Sequence, residues 1–303
     1  MGTGQKIIVT IGILMIIIVT IAAFFKEPIK YEITTKKIDH LYATTEENEY
    51  CLDDNFNYVE NYEGTMLTSK KDIENSIYYA INSGTTEIKR YCSKEYTDCY
   101  KDIEEVSNNK ELLTNLNNFV HPYNSFDNIT FEYDKETIKI EINHIYTEEE
   151  INKINEIVDN FINNNLTNDL STREKIKIIH DYIIDNADYD TLKTQNINDD
   201  TYKSNTAYGV LVEGYGICSG YSDTMAIFLD KLNVINYKIS NDQHIWNLVY
   251  IDGRWLHLDL TWDDPISEEN ITRDNFFLIN TKVLQSLDDT AHYYNNEIYT
   301  EAN

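Results

Sequence analysis

The sequence predicts an α+β protein: a helix with a cysteine at or near its start and a small antiparallel sheet, behind a smaller α+β region and an N-terminal apolar segment. Three observations predict it. Gly214, Gly216 and Gly220 punctuate a turn around Cys218, and Met225, Ala226, Phe228, Leu229 and Leu232 then recur at helical spacing. Residues 244–261 form two alternating runs joined by Asp252-Gly253, a strong two-residue hairpin turn. A second alternating pair, Ile129–Tyr133 and Ile138–Tyr146, flanks Asp134-Lys135-Glu136 and predicts another hairpin.

In chain order, the first element is apolar. Ile7 to Phe25 are 19 consecutive positions without a charge, which as a helix would span about 28 Å, close to the hydrocarbon core of a bilayer. Residues 1–30 are expected to form an N-terminal membrane anchor or signal. Ala22-Ala23 followed by Phe24-Phe25 makes a poor cleavage site, which favours an uncleaved anchor. Lys6 precedes the run and Lys26, Lys30, Lys36 and Lys37 follow it, so cation counting alone would keep the large domain inside. A short N-terminal segment of this type usually serves export, and the expected location is membrane-anchored with the domain outside the cytoplasm, or secreted if the segment is cleaved.

Residues 31–65 are polar and aperiodic and read as a tether, with tyrosines that suggest partial docking. Residues 66–165 read as a small α+β accessory domain, with a helix near Lys71–Asn82, an extended stretch at Thr86–Cys92, further helix from Asp102 to Phe119, and the first hairpin. Ile151, Ile154, Ile157, Val158 and Phe161 give an amphipathic helix leading towards the larger domain, 166–303. There, Ser171 and Glu174 have the spacing of a capping box, opening a helix with Ile176, Ile179, Tyr182 and Ile183 on one side. Asp188 to Asn205 is a polar stretch of the kind that borders a substrate cleft.

Acidic residues number 52 against 25 lysines and arginines, and the formal charge of -27 would repel a phosphate backbone. Nucleic acid is therefore not an expected partner. The four cysteines are at 51, 92, 99 and 218. The spacing of Cys92 and Cys99 is consistent with a small disulfide loop outside the cell, or with two free thiols inside it. No CxxC pair or close Cys/His cluster suggests zinc, and no DxDxDG loop suggests calcium.

Cys218 at a helix start is where chemistry enters. Unpaired backbone amides and the positive end of the helix dipole favour an anion there, and the glycines beside it would let a substrate backbone approach. A thiolate also needs a base, and the base needs an acceptor that fixes its tautomer. If Ile251 and Arg254 flank the second hairpin turn, paired positions have numbers summing to 505. His244 and Asp259 then fall on one face as diagonal neighbours, about 7 to 8 Å apart at the backbone and within side-chain reach. His257 is a competing base, and Asp263 and Asp264 are competing orienters.

The order GYGICSGYS, HIWNLVYIDGRW, LHLDLTWDDP, with IIHDYIIDNADYD and TAYGVLVEGYG upstream, resembles the core of the bacterial transglutaminase-like superfamily across roughly Ser171 to Asn280. That resemblance implies a papain-like fold for the 166–303 catalytic domain, with Cys218 as nucleophile, His244 as general base and acid, and Asp259 as orienting carboxylate. It also implies aromatic positions near the site at Tyr221 and Trp246, and Tyr208 as a group assisting the oxyanion. The implied reaction is attack on an amide carbonyl of a protein or peptide, cell-wall-associated material included, through a thioester resolved by water or by an amine. No cofactor or metal is required. The alternative is a catalytically silent module that binds cell-surface protein or polymer.

Overall fold

The computed structural model describes residues 33–34, 46–264, 273–288 and 290–302. The membrane segment expected within 1–30 lies outside them, and among the described residues no helix is long and apolar enough to cross a membrane. The fold is mixed α and β. The described residues divide into two compact units, one ending at Ile151 and the other beginning at Asn152.

The first unit is built on a five-stranded sheet of order β1-β4-β5-β3-β2: β1 Ile33–Thr34, β2 Met66–Leu67, β3 Glu87–Cys92, β4 Phe126–Tyr133 and β5 Thr137–His144. The β4–β5 hairpin pairs Tyr133 with Ile138, and Asp134 Oδ1 closes its turn by accepting from the Glu136 and Thr137 amides at 2.8 and 2.9 Å. Helix α1, Lys70–Asn82, opens on a Ser69/Asp72 capping box and buries Ile73, Ile77 and Ile81, one every turn, against β3 and β5.

The helix expected over 102–119 is two helices, α2 Cys99–Ser107 and α3 Lys110–Asn117. The break falls at Asn108-Asn109, where the Asn109 side chain accepts from the Leu112 amide at 3.1 Å and so starts a new helix. Residues 46–65 of the expected tether belong to the packed unit. Phe56 and Val59 are buried, and side-chain amides do the joining. Asn48 and Asn124 exchange hydrogen bonds of 2.7 and 3.0 Å, and Asn82 bonds both the Leu52 carbonyl and its amide. Cys92 and Cys99 form a disulfide with Cα atoms 6.0 Å apart.

Helix α4, Glu148–Asn165, runs across the division between the units. In the second unit α5, Thr172–Asn186, starts at the Ser171/Glu174 capping box. A short strand β6, Asp188–Tyr189, a helical turn α6 at Thr191–Gln195, and β7 at Tyr215–Gly216 follow, with Tyr189 opposite Gly216 in a parallel pair. Helix α7, Cys218–Lys231, packs on α5 and on a three-stranded antiparallel sheet of β8 Asn236–Ser240, β9 Ile245–Ile251 and β10 Arg254–Leu258, with β9 central. Two short helices, α8 Leu260–Asp263 and α9 Thr281–Leu287, come after it.

Polar links join α7 to that sheet alongside its buried Met225, Ile227, Phe228 and Leu229. Lys238 of β8 pairs with Asp223 of α7 at 2.6 Å, with both side chains 5% exposed. Asn247 of β9 donates to the Ser222 carbonyl at 2.9 Å. Two buried polar contacts in the first turns of α7 thus set where Cys218 stands relative to β9.

Candidate active site

Gly214 ends the preceding turn with φ +77°, a left-handed conformation that favours glycine. The chain then runs extended through β7 and Ile217 into α7, so that Cys218 is the first helical residue. Ile217 has no side-chain acceptor, which leaves the first amides of α7 available to another one. The glycines beside Cys218 have a different role from the one expected. A Cβ on Gly220 would stand 2.3 Å from the Ser204 carbonyl, and one on Gly216 would stand 2.8 Å from the Tyr221 ring. They admit the protein's own chain, not a substrate backbone.

The second hairpin has the register that its turn dictates. Asp252 and Gly253 take φ +55° and +74°, and Ile251↔Arg254 through Asn247↔Leu258 pair in order. The ladder stops there, so His244 and Asp259 both lie just beyond it instead of within it. Asp259 caps α8, accepting at Oδ1 from the Trp262 amide at 3.2 Å. His244 closes a tight loop in which Asn241 Oδ1 accepts from its amide at 2.8 Å.

Placed this way, His244 Nε2 is 2.5 Å from Asp259 Oδ2, with side chains 8% and 1% exposed. The Cys218 thiol acts on the charge of the same imidazole, whose Nε2 is the nitrogen that Asp259 holds. Trp246 stacks on the imidazole with ring centres 5.5 Å apart and planes 16° from parallel, and its Nε1 donates to His257 Nδ1 at 3.1 Å. Thiol, imidazole and carboxylate therefore converge from α7, the start of β9 and the end of β10.

Residues 159–260 match the family model of the Transglutaminase-like superfamily. This segment belongs to that superfamily. A crystal structure titled as that of a TGase is 20% identical, with a TM-score of 0.34, and the likeness covers 45% of each chain, less than half the length of either. No curated protein matches. The transglutaminase-like segment ends at Leu260, so Cys218, His244 and Asp259 all fall inside it.

The electrostatics of the transglutaminase-like site follow from that convergence. Burial alone would push His244 down, but the Asp259 carboxylate and then the Cys218 thiol outweigh it and raise the imidazole to about 10. Burial pushes Asp259 up, and the charges and hydrogen bonds of His244 and His292 overcome this, holding it well below the usual carboxylate range. An imidazolium beside a carboxylate is the state that these contacts favour.

The rival groups are engaged elsewhere. His257 is driven down to about 3 by burial and then by the charge of His292, so it stays neutral as an acceptor for Trp246. Asp263 Oδ2 is 3.2 Å from His180 Nε2, and Asp264 accepts from the Tyr221 hydroxyl at 2.5 Å. Tyr221 is buried with its hydroxyl against Asp264 and the Ala187 carbonyl, which gives it a packing role and no free donor. Among the described residues, Tyr208 makes no hydrogen bond to the three. Its ring lies 5.8 Å from the Lys203 ammonium.

Two neighbours escaped the sequence reading. The Tyr189 phenol is pushed well above its ordinary value by burial and then by the charges of Cys218, Asp259 and Asp190. It stays protonated within electrostatic reach of the thiol, on a strand whose pairing sets Tyr189 opposite Gly216, two residues before Cys218. His292 Nε2 is 2.7 Å from Asp259 Oδ2, and its Nδ1 is 2.8 Å from Asp288 Oδ2. Neither belongs to a periodic segment, although Asp288 and His292 stand four apart. Ligand-type atoms of His244, Asp259 and His292 lie within 4.8 Å of one another, a convergence that their hydrogen bonds to Asp259 account for without an ion.

Proposed function

We propose that this protein is a cysteine-nucleophile acyl-transfer enzyme with Cys218, His244 and Asp259 as its triad. The carrying observation is the 2.5 Å contact of His244 with Asp259, on an imidazole whose charge the Cys218 thiol at the start of α7 also favours. In this reading the thiolate attacks an amide carbonyl of a protein or peptide. The tetrahedral oxyanion is met by the amides that open α7 and by the Tyr189 phenol. His244 gives its proton to the departing amine, leaving a thioester on Cys218. Water or an amine, its proton taken by His244, then resolves the thioester and restores the thiol.

We place the reaction outside the cytoplasm, on a chain anchored through residues 1–30. The uncharged run Ile7 to Phe25 supports this, as does the Cys92–Cys99 disulfide, a bond typical of oxidising compartments.

The test is acylation by an amide donor. A glutamine-bearing protein is incubated with the full chain and either a fluorescent primary amine or water alone, then quenched in acid for intact-mass analysis. A Cys218-linked acyl adduct, with amine incorporation or hydrolysis that Cys218→Ala abolishes, is the expected result. Turnover that persists in Cys218→Ala would overturn the reading.

A further inference from the structure

Asp288 and His292 stand outside the triad yet close around the same carboxylate. The His292 side chain is fully buried, with Nε2 2.7 Å from Asp259 Oδ2 and Nδ1 2.8 Å from Asp288 Oδ2. An ionised carboxylate can only accept, so both contacts are attractive only when both ring nitrogens carry hydrogen. A neutral imidazole would turn a lone pair on one of the two oxygens.

The alternative is that a carboxyl group carries that hydrogen, and the donors around each group argue against it. Asp288 Oδ1 accepts from the Thr290 amide at 3.1 Å and hydroxyl at 2.9 Å, and Oδ2 accepts from the Ala291 amide at 2.9 Å. Asp259 accepts from His244 at Oδ2 and from the Trp262 amide at Oδ1. A carboxyl hydrogen on either would displace a donor already in place.

The rest of the surround is aromatic. Phe276 stacks on His292 at 5.0 Å and 19°, and the Trp246 and Trp262 rings approach at 5.0 Å. The titratable groups facing His292 are Asp259, Asp288, His244 and His257. His257 is neutral, so two carboxylates face one histidine on the inner side and the His244–Cys218 pair on the outer.

We propose that His292 is a fixed imidazolium clamped between Asp288 and Asp259, acting as a positioning residue for the His244–Cys218 pair. It holds the Asp259 carboxylate in place and offsets one of the two negative charges beneath the site. The inference deepens the triad reading and rests on it. Without the cation the potential at the site becomes more negative, so the thiolate is more readily protonated and the imidazolium holds its proton longer. Both inflections of the Cys218 alkylation profile then move to higher pH. With ring centres 5.3 Å apart and an effective dielectric of about 20, the shift on the His244 limb has a ceiling of about two pH units.

Two measurements on the full chain test this. In ¹⁵N-histidine spectra at pH 7, the signals that vanish in His292→Gln should show both ring nitrogens protonated. In Asp288→Asn that second proton should be lost at a lower pH than in the wild type. A neutral His292, or an Asp288→Asn spectrum that titrates like the wild type, overturns the clamp. The second measurement is the iodoacetamide rate at Cys218 against pH. His292→Gln keeps a donor for Asp259 but no cation, and both inflections should rise by at least about half a unit. Unmoved inflections would overturn the positioning role. Should His292→Gln fail to fold, His292→Asn, which removes the same charge, is read in the same profile and should shift it the same way. A wild-type Cys218 with no selective reactivity would instead sink the triad reading, and the spectra would still decide the state of His292.

Discussion

Replacing Asp259 by asparagine keeps the shape of the side chain and removes its charge, and the structure leaves the amide no good orientation. Asp259 Oδ2 accepts from His244 and His292, while Oδ1 accepts from the Trp262 amide. If the amide oxygen stays at the Oδ2 position, the NH2 group points at the Trp262 N–H and the cap of α8 is lost, at about 1 kcal/mol. If the amide flips, its NH2 meets two imidazole edges and forces His244 into the wrong tautomer. In both cases an ionic partner is removed from 2.5 Å of His244 in a buried setting. Stripping one partner from a buried pair costs about 3–5 kcal/mol, equivalent to about two to four powers of ten in rate. Triad asparagine variants fall at the upper end of that range. The assay is the second-order rate of Cys218 alkylation at pH 7 together with amide turnover, with circular dichroism as the check on folding. A folded Asp259→Asn protein within about threefold of wild type on both rates would refute the reasoning.

The His244 imidazole is raised to about 10 from an ordinary 6.5. A raised folded-state value means its stabilisation is complete below about pH 6.5 and is lost as pH climbs through 10, a change on the order of a few kcal/mol. Urea unfolding of wild type and His244→Gln across pH 6 to 10 should converge as pH rises, and parallel curves would contradict it. The buried Lys238–Asp223 pair makes Asp223→Ala cost about 3–5 kcal/mol in denaturant unfolding, because Lys238 loses its 2.6 Å carboxylate contact. Replacing both by apolar residues of similar size should cost far less. Opening the Cys92–Cys99 loop by a double serine substitution should lower stability by about 2–3 kcal/mol in the same assay.

The legible parts of the fold are those with a local rule. Asp252-Gly253 is a strong signal for a two-residue turn, so the β9–β10 register could be counted off from the sequence. The helix beginning at Cys218 was legible from the glycines before it and the apolar spacing after it, and the Ser171/Glu174 box from its spacing. What was hidden depends on contacts without a period. The alternation carried the strand on to Thr261, yet Asp259 caps a helix there, which moves His244 and Asp259 off the ladder. Residues 46–65 looked like tether because asparagine side chains, not an apolar stripe, attach them. His292 reaches Asp259 from 33 residues downstream out of an irregular segment, so only the tertiary fold exposes it.

The central claim is that Cys218 is a poised nucleophile, and the protein carries its own control in Cys51. The Cys51 thiol is raised to about 12 by burial and then by Glu47, Asp53 and Glu63, so it is protonated at neutral pH. Brief iodoacetamide treatment of the folded chain at pH 7, read by peptide mass spectrometry, compares the two free thiols in one sample. Cys218 should be labelled first by a wide margin, and the margin should collapse in His244→Gln. Equal labelling of Cys51 and Cys218, or an unreactive Cys218 in the folded wild-type protein, would contradict it.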